Sequence, residues 1–421
     1  MPIAAVPQYL GNDFDQASPG MRFGMYLRIW GIHRRHHQHL WTTHDIDIEV
    51  RGQERKEREV KIENKRSAID EACKLTSHDT LLIDAWHERQ QAAAAPWEAS
   101  GRLWTGYAQA VAPFATGLGN EHPTENGFAF LWPYGLPYLP GSGVKGVLRR
   151  AARELPHWDE ACCEALFGNE PPLPGQAEDA RRGALSFWDV LPRISHEALR
   201  VEVMTPHQSH YYQAKTKADA QAGDTDPHDS GSPNPIFFLT VPPGSEFVFR
   251  VACDLDRLPE SLRDNGLWQQ RLREAFEHAY QWLGFGAKTA VGYGAMRFDE
   301  EARRRVQDAW EKKQREQAEA EAQRQREQEL NRLSPAMREV ELFRENMQKR
   351  YDVLKGKKTK KGEEDFRAMR ALADKAKASD WSAEERAAAA DAIEHWGPKV
   401  VQIDVKDLRK DLDLKALRSG G

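Results

Sequence analysis

A stretch of proline, glycine and basic residues, LPYLPGSGVKGVLRR at residues 136–150, constrains the fold more than any other part of the chain. Its two prolines favour an extended backbone, because proline fixes φ and the residue before it avoids the helical region. A Gly-Ser-Gly turn follows. From Val144 onwards apolar residues recur three and four positions apart, which predicts an amphipathic helix with one buried face. The chain must therefore pass from strand to helix within a few residues.

The start of this helix is a candidate anion-binding site. Ser142 is the expected N-cap, and Gly141 and Gly143 allow another backbone to come close. The first-turn N–H groups have no partner within the helix and carry the positive end of its dipole. Lys145 and Arg149 follow one turn apart on the exposed side. These features together are typical of a phosphate cradle; a capped helix with a solvated basic face is the alternative that this stretch alone leaves open.

Length, apolar runs and cysteines narrow the class of protein. The chain of 421 residues is long enough for two or three domains. No apolar run approaches the roughly 18 residues of a membrane span, and no secretory signal opens the chain. The four cysteines contain no CxxC pair. We therefore expect a protein of the reducing cytoplasm, with no membrane contact, disulfide framework, metal site or cofactor.

Charge is unevenly distributed. The net charge is −5, yet residues 301–421 carry 29 Lys and Arg against 25 Asp and Glu. A surface for nucleic acid would therefore be a local basic groove rather than the whole molecule. Beyond residue 300 the composition changes to Glu, Gln, Arg and Ala, which predicts a long solvated helix followed by shorter helices that start at Ser334 and Ser382. The last of these is expected to stop at Gly397, and KGKKTKKG at residues 355–362 is expected to be a flexible basic loop.

Residues 104–300 predict an α+β domain. Short apolar strands alternate with two amphipathic helices, which favours an antiparallel sheet with helices on one side. Residues 236–241 and 246–253 are expected to pair with each other as a hairpin across Pro242 and Gly244. The domain boundaries predicted from composition are 1–103, a mixed segment partly packed on the core, 104–300, the core itself, and 301–421, the helical extension.

A glycine-rich loop, GFGAKTAVGYG at residues 284–294, is the second candidate site. It lacks the Gly-Lys-Ser/Thr order of a Walker loop, since Ala287 precedes Lys288, and it follows a helix rather than a strand. The side chains of Lys288 and Thr289 would be available to contact a chain that packs against the loop. A phosphodiester chain or another protein backbone would suit such a surface. The four glycines that would permit this approach are Gly284, Gly286, Gly292 and Gly294.

A polar excursion at residues 205–235 is the third candidate site. Tyr211 and Tyr212 stand beside two lysines, which is typical of a finger that stacks on bases. His207 with the aspartates of residues 224–229 could instead act as general base and metal ligands in an endoribonuclease. We favour binding over cleavage, with His207, Tyr211 and Tyr212 as nucleic-acid-binding residues and no catalytic residue predicted. His33 and His37 have the spacing of metal ligands on a helix, but no acidic or cysteine partner accompanies them.

Four motifs, taken in order, resemble one protein family. PYLPGSGVKGVLR resembles the signature of the RAMP superfamily of CRISPR-associated proteins, and GFGAKTAVGYG resembles its C-terminal glycine-rich loop. VEVMTPHQSHYY and SPNPIFFLTV are similar to the members that form the sixth subunit of type III-B (Cmr) effector complexes. The resemblance covers residues 104–298. One departure is Gly143, where the family usually has a second serine.

The resemblance implies a ferredoxin-like (RRM-like) core with a thumb-like insertion at residues 205–235 and a C-terminal all-helical extension. It implies a non-catalytic structural subunit of antiviral defence that holds CRISPR RNA and the guide–target duplex near the head of a filament. Partners would be CRISPR RNA, target RNA and other Cmr subunits (repeated backbone, small and head subunits).

By the same resemblance, Gly141, Ser142, Lys145 and Arg149 would contact guide phosphates, and residues 284–294 would pack along the same RNA. The aspartate loop that cleaves target in the repeated backbone subunit has no clear match here, although Glu121, His122 and Glu125 follow a similar early strand. A pure protein-assembly module is the third class of function that the sequence leaves open.

Overall fold

The computed structural model describes residues 6–11, 13–40, 42–51, 56–169, 181–206, 235–378 and 380–419. The chain divides into two compact units, Met1–Val306 and Gln307–Gly421. The strands of the first unit are β1 (Gly31–His33), β2 (Gln38–Leu40), β3 (His44–Arg51), β4 (Lys56–Glu63), β5 (Leu103–Ala110), β6 (Phe130–Leu131), β7 (Leu136–Pro137), β8 (Leu185–Phe187), β9 (Arg200–Met204), β10 (Ile236–Thr240), β11 (Glu246–Cys253) and β12 (Met296–Phe298). Its α-helices are α1 (Pro19–Phe23), α2 (Lys65–Ala72), α3 (Ser77–Ala99), α4 (Gly141–Glu154), α5 (Glu160–Phe167), α6 (Glu260–Arg263) and α7 (Leu267–His278).

A four-stranded antiparallel sheet is the centre of the first unit. Its strands lie in the order β12-β5-β11-β8, and along the chain β5, α4, β8, β11, α7 and β12 follow one another. Ala110 pairs with Met296, and Glu246 pairs with Gln109. The end of β5 and the starts of β11 and β12 therefore lie at one end of the sheet. Both candidate sites in the described residues are attached to this end.

One face of the sheet carries the main core. Alternate residues of β11, from Phe247 to Cys253, are buried in it, as the alternation in the sequence predicts. Helices α4 and α7 contact each other, and buried residues of both belong to this same core. Trp268, Leu272 and Ala275 form the buried stripe of α7, which confirms the predicted amphipathic helix.

The other face of the sheet is also covered, by α3. Ala94 of α3 is buried against Leu103 and Ala252. Arg250 of β11 is 3% exposed and donates from Nη2 to Gln91 Oε1 at 2.9 Å. The expectation of helices on one side only is therefore wrong, because β11 is a central strand that is buried on both faces.

Strand β10 does not pair with β11, so the predicted hairpin across Pro242 is wrong. β10 pairs antiparallel with β9 in a separate two-stranded sheet, with Ile236 opposite Met204. Both edges of β11 are already occupied, by β5 on one side and β8 on the other. The segment between the two strands turns away instead, and Val241 exchanges backbone hydrogen bonds with Phe114.

The N-terminal part of this unit contains a further sheet in the order β2-β1-β3-β4. β3 and β4 pair antiparallel as a hairpin. His33 lies on β1 and His37 lies in the turn before β2, so the two histidines do not share a helix. Helices α2 and α3 follow this sheet, and α3 continues through Pro96.

The named elements of the second unit are all helices. The helices after residue 299 are α8 (Glu300–Arg332), α9 (Pro335–Leu354), α10 (Glu364–Ala378), α11 (Ala383–Val400), α12 (Val405–Asp411) and α13 (Leu414–Ser419). Ser334 and Ser382 cap α9 and α11 as predicted, but α11 runs through Pro398 to its last residue. α8 is solvated, with Ala302 its one buried residue. Among the described residues, no helix is long and apolar enough to cross a membrane.

Candidate nucleic-acid interface

Helix α4 starts earlier than the sequence predicts. Pro140 is its N-cap, with φ −60° and ψ 140°, and Gly141 is its first residue. The prediction of Ser142 as the N-cap is therefore wrong, because the extended geometry at Pro140 places Ser142 inside the first turn, where it is exposed. Val144, Leu148 and Ala151 are buried, which confirms the predicted apolar face.

A carboxylate of the protein already lies at the start of α4. The Gly141 N–H donates to Asp189 Oδ1 at 2.7 Å. A Cβ on Gly141 would fall far inside contact distance of the Phe187 carbonyl oxygen, so glycine is required where α4 meets the end of β8. Asp189 was not among the predicted site residues, and only the pairing of distant segments reveals its role. Its negative charge neutralises part of the positive dipole end of α4, where the sequence predicts a phosphate site.

The exposed side of α4 carries a cluster of three cations: Lys145, Arg149 and Arg182, hereafter the α4 basic face. Burial lowers the pKa of Lys145, and the nearby positive charges of Arg149 and Arg182 lower it further. Lys145 makes no hydrogen bond or ion pair with any described residue. Arg182 precedes β8 and was missed in the sequence, although the dipeptide Arg181-Arg182 was a visible signal. Both neighbouring positive charges disfavour the ammonium form of Lys145, so an anion bound beside it would stabilise that form.

The glycine-rich loop folds largely upon the protein itself. All four of its glycines have positive φ, and at three of them, Gly284, Gly286 and Gly294, a Cβ would lie under 3.0 Å from a backbone oxygen. The Ala287 N–H donates to the Ala115 carbonyl at 2.7 Å. These three glycines therefore permit the approach of the protein's own backbone, including residues 113–115.

The remaining loop residues face outward or towards β9 and β10. Gly292 has φ +95° and open space around its Cα. Lys288 Nζ lies 2.8 Å from Met204 Sδ and 5.2 Å from the centre of the Phe238 ring. Thr289 is half-buried, whereas Val291 is 73% exposed. An external chain could therefore reach this loop at residues 288–292.

The α4 basic face and the glycine-rich loop belong to the same end of the central sheet. α4 begins beside the end of β8, and Arg193, which follows β8, pairs with Glu246 at the start of β11. The loop leads directly into β12. In addition, α4 contacts the π-helical turn Ala279–Leu283, which ends where the loop begins.

The third candidate site lies outside the described residues. His207, Tyr211 and Tyr212, and the aspartates of the endoribonuclease alternative, all fall within residues 207–234. In the part of the chain that the structure describes, no three His, Cys, Asp or Glu side chains are grouped as metal ligands.

The acid–histidine group after β5 has a structural role. His122 bonds through Nε2 to the Phe23 carbonyl at 2.8 Å, and its ring stacks on Phe23. Burial lowers the pKa of His122. Glu125 forms an ion pair of 2.6 Å with Lys65. These contacts tie the loop after β5 to α1 and α2.

Comparison with known proteins supports the family that the motifs predict. Residues 104–297 match the family model of the RAMP superfamily, which confirms the resemblance seen in the sequence. The chain's resemblance within the superfamily is to the Cmr6 subunit. It is 27% identical over 243 residues to Cmr6 of Pyrococcus furiosus, covering 46% of this chain and 67% of that protein. It is 30% identical over 170 residues to Cmr6 of Saccharolobus solfataricus, covering 40% of this chain and 47% of that protein.

Two solved structures are also similar. A cryo-EM structure of the type III-B Cmr-beta complex bound to cognate target RNA contains a chain 21% identical, with a TM-score of 0.40, covering 55% of this chain and 69% of that one. The crystal structure of Cmr6 from Pyrococcus furiosus is 26% identical, with a TM-score of 0.26, covering 47% and 97%.

Proposed function

We propose that this chain is a non-catalytic, RNA-binding subunit of a type III-B CRISPR effector complex, in which it holds CRISPR RNA and the guide–target duplex beside the other Cmr subunits. The likeness to two Cmr6 proteins supports membership of such a complex. The strand order of the central sheet, with a β-α-β-β-α-β succession, supports a ferredoxin-like (RRM-like) core. Residues 205–235 would be its thumb-like insertion and residues 301–421 its helical extension.

The observation that carries the RNA-binding proposal is the α4 basic face. Lys145 and Arg149 lie four residues apart on one helix, and the positive charge of Arg149 contributes to the lowered pKa of Lys145. Arg182, from the segment before β8, adds a third positive charge near Lys145. A phosphodiester chain would place negative charge beside the ammonium group of Lys145, which has no acidic partner among the described residues. Such contacts bind RNA without reading its sequence, as holding a variable guide requires.

The test is the double variant Lys145→Gln with Arg149→Gln. Its matched control is Lys406→Gln with Lys410→Gln, which removes two exposed lysines that are also four residues apart on a helix, α12. Kd for a single-stranded RNA would be measured by fluorescence anisotropy at several salt concentrations. We expect the α4 variant to bind about tenfold more weakly, with a salt dependence smaller by about 1.4 because each lost phosphate contact removes about 0.7. The control should match the wild type.

Unchanged affinity and salt dependence in the α4 variant, with the fold intact, would refute the proposal. The same wild-type sample, incubated with labelled RNA and Mg²⁺, should leave the RNA intact. Cleavage that His207→Ala abolishes would instead favour the endoribonuclease.

A further inference from the structure

The loop at residues 355–361, hereafter the lysine loop, concentrates positive charge in the second unit. It joins α9 to α10 and contains no acidic residue; the nearest acids along the chain are Asp352 and Glu363. Lys361 pairs with Asp411. The other four lysines are exposed, and their ammonium groups have no acidic partner among the described residues: Lys355, Lys357, Lys358 and Lys360.

The backbone of the lysine loop is hydrogen-bonded to the last residue of α11 and to the segment that follows it. Thr359 donates from its N–H to the Val400 carbonyl at 2.8 Å, and its own carbonyl accepts from the Gln402 N–H at 2.8 Å. The Gln402 side chain also donates to the Lys358 carbonyl at 3.3 Å. Thus the loop is pinned at its centre while its lysine side chains point to solvent. A partner would meet a preformed frame, which reduces the entropy lost on binding.

An exposed aromatic side chain comes one helical turn before the lysine loop along the chain. Tyr351, in the last turn of α9, is 41% exposed, and its ring lies 6.2 Å from that of Trp396 in α11. Lys399 Nζ lies 4.9 Å from the Trp396 ring centre, so a further exposed cation belongs to the same surface. Exposed tyrosine among lysines suits a single-stranded polynucleotide, since a base can stack on the ring while phosphates meet the ammonium groups.

Two simpler explanations account for part of this surface only. Cations stabilise the negative ends of helix dipoles, which would explain Lys355 and Lys399 at the ends of α9 and α11. Lys357, Lys358 and Lys360 lie beyond the helices, where that effect has fallen off. An acidic protein surface would pair with lysines equally well, but it gives no reason for the exposed ring of Tyr351.

We propose that the lysine loop, together with Tyr351 and Lys399, is a second binding site for a single-stranded polynucleotide, separate from the α4 basic face. Lysine contributes point charges without the planar fork that arginine offers, so the site holds the phosphate backbone and is indifferent to base sequence. With one phosphate at each of the four free lysines of the loop, the salt dependence of binding is about 2.8 on a logarithmic scale. Affinity then falls about fiftyfold between 50 and 200 mM salt.

The test uses the full chain in which Lys145→Gln and Arg149→Gln already silence the α4 basic face. Into this background go Lys355→Gln, Lys357→Gln, Lys358→Gln and Lys360→Gln together. The matched control removes four other exposed positive charges, three from α8 and one from α12: Arg304→Gln, Arg315→Gln, Arg324→Gln and Lys406→Gln. The probes are a 20-nucleotide oligouridylate and, for an acidic protein, polyglutamate.

We expect the loop variant to bind oligouridylate at least tenfold more weakly than its background, while the control stays within about twofold. Photo-cross-linking of 4-thiouridine RNA should label Tyr351, and Tyr351→Ala should remove that label. An unchanged thermal midpoint of the loop variant excludes unfolding as the cause. Equal losses in the loop variant and the control, or polyglutamate binding as tight as that of RNA at the same salt, would overturn the proposal. Because the α4 face is silenced throughout, either site can fail without the other.

Discussion

Replacement of Gly286 by alanine gives a sharp test of how the glycine-rich loop is built. Gly286 has φ +89°, and an alanine Cβ would lie under 3.0 Å from the Ala115 carbonyl oxygen and from the Phe114 ring. Neither neighbour can move freely. The Ala115 carbonyl accepts the Ala287 N–H, and Phe114 is fully buried. We therefore expect the loop to separate from residues 113–115 in this variant.

Gly292 provides the matched control, since it has a similar φ of +95° but nothing within 4 Å of a Cβ. Both substitutions incur about 1–2 kcal/mol of left-handed backbone strain. Gly286→Ala also loses a hydrogen bond, about 1 kcal/mol, and forces a packed segment apart, about 1–3 kcal/mol. The expected loss in the free energy of unfolding is thus about 1–2 kcal/mol for Gly292→Ala and about 3–6 kcal/mol for Gly286→Ala.

Urea denaturation followed by tryptophan fluorescence and circular dichroism would measure both losses. The difference between the two variants isolates the contact with residues 113–115, because backbone strain is common to them. If both variants lose the same free energy, the self-packed loop described above is wrong. RNA affinity supplies a second readout. If RNA reaches the loop at residues 288–292, Gly292→Ala should reduce the free energy of RNA binding by more than it reduces the free energy of unfolding.

Two further predictions concern single side chains near α4 and the sheet. His87 is 7% exposed, and burial, followed by the charges of Arg193 and Arg250, lowers its pKa to about 3. Between pH 6.5 and pH 3 the unfolded chain binds a proton at His87 that the folded chain does not. His87 therefore leaves the free energy of unfolding unchanged above pH 6.5, and below that pH it lowers the free energy of unfolding by about 1.4 kcal/mol per pH unit. His87→Gln should flatten that slope in urea titrations at pH 7 and pH 5, and an unaltered slope would assign it to other groups. Asp189→Ala should lower the free energy of unfolding by about 1 kcal/mol, because the hydrogen bond to Gly141 is lost. The same change should tighten RNA binding measured by anisotropy, because it removes a negative charge from the start of α4. Weaker RNA binding would contradict the idea that Asp189 and RNA phosphate compete for this helix end.

Local signals account for what could be predicted of the candidate site. The buried face of α4 follows from the spacing of Val144, Leu148 and Ala151, and the basic face follows because Lys145 and Arg149 occupy the remaining side of the same helix. Arg182 and Asp189 escaped prediction because they come from another segment of the chain. Their relation to α4 exists only once β8 has joined the sheet, where Asp189 reaches Gly141 and Arg182 reaches Lys145.

The sequence by itself determined the elements whose causes lie within a few residues. The β3–β4 hairpin, the stripe of α7 and the serine caps of α9 and α11 depend on side-chain period and on hydrogen bonds to neighbouring amides. Tertiary structure alone decided which elements meet. β10 pairs with β9 because both edges of β11 are taken, and α3 and α11 continue through Pro96 and Pro398. The glycines of residues 284–294 lie mainly on the protein's own backbone, because close approach is a property of two segments and a sequence pattern describes only one of them.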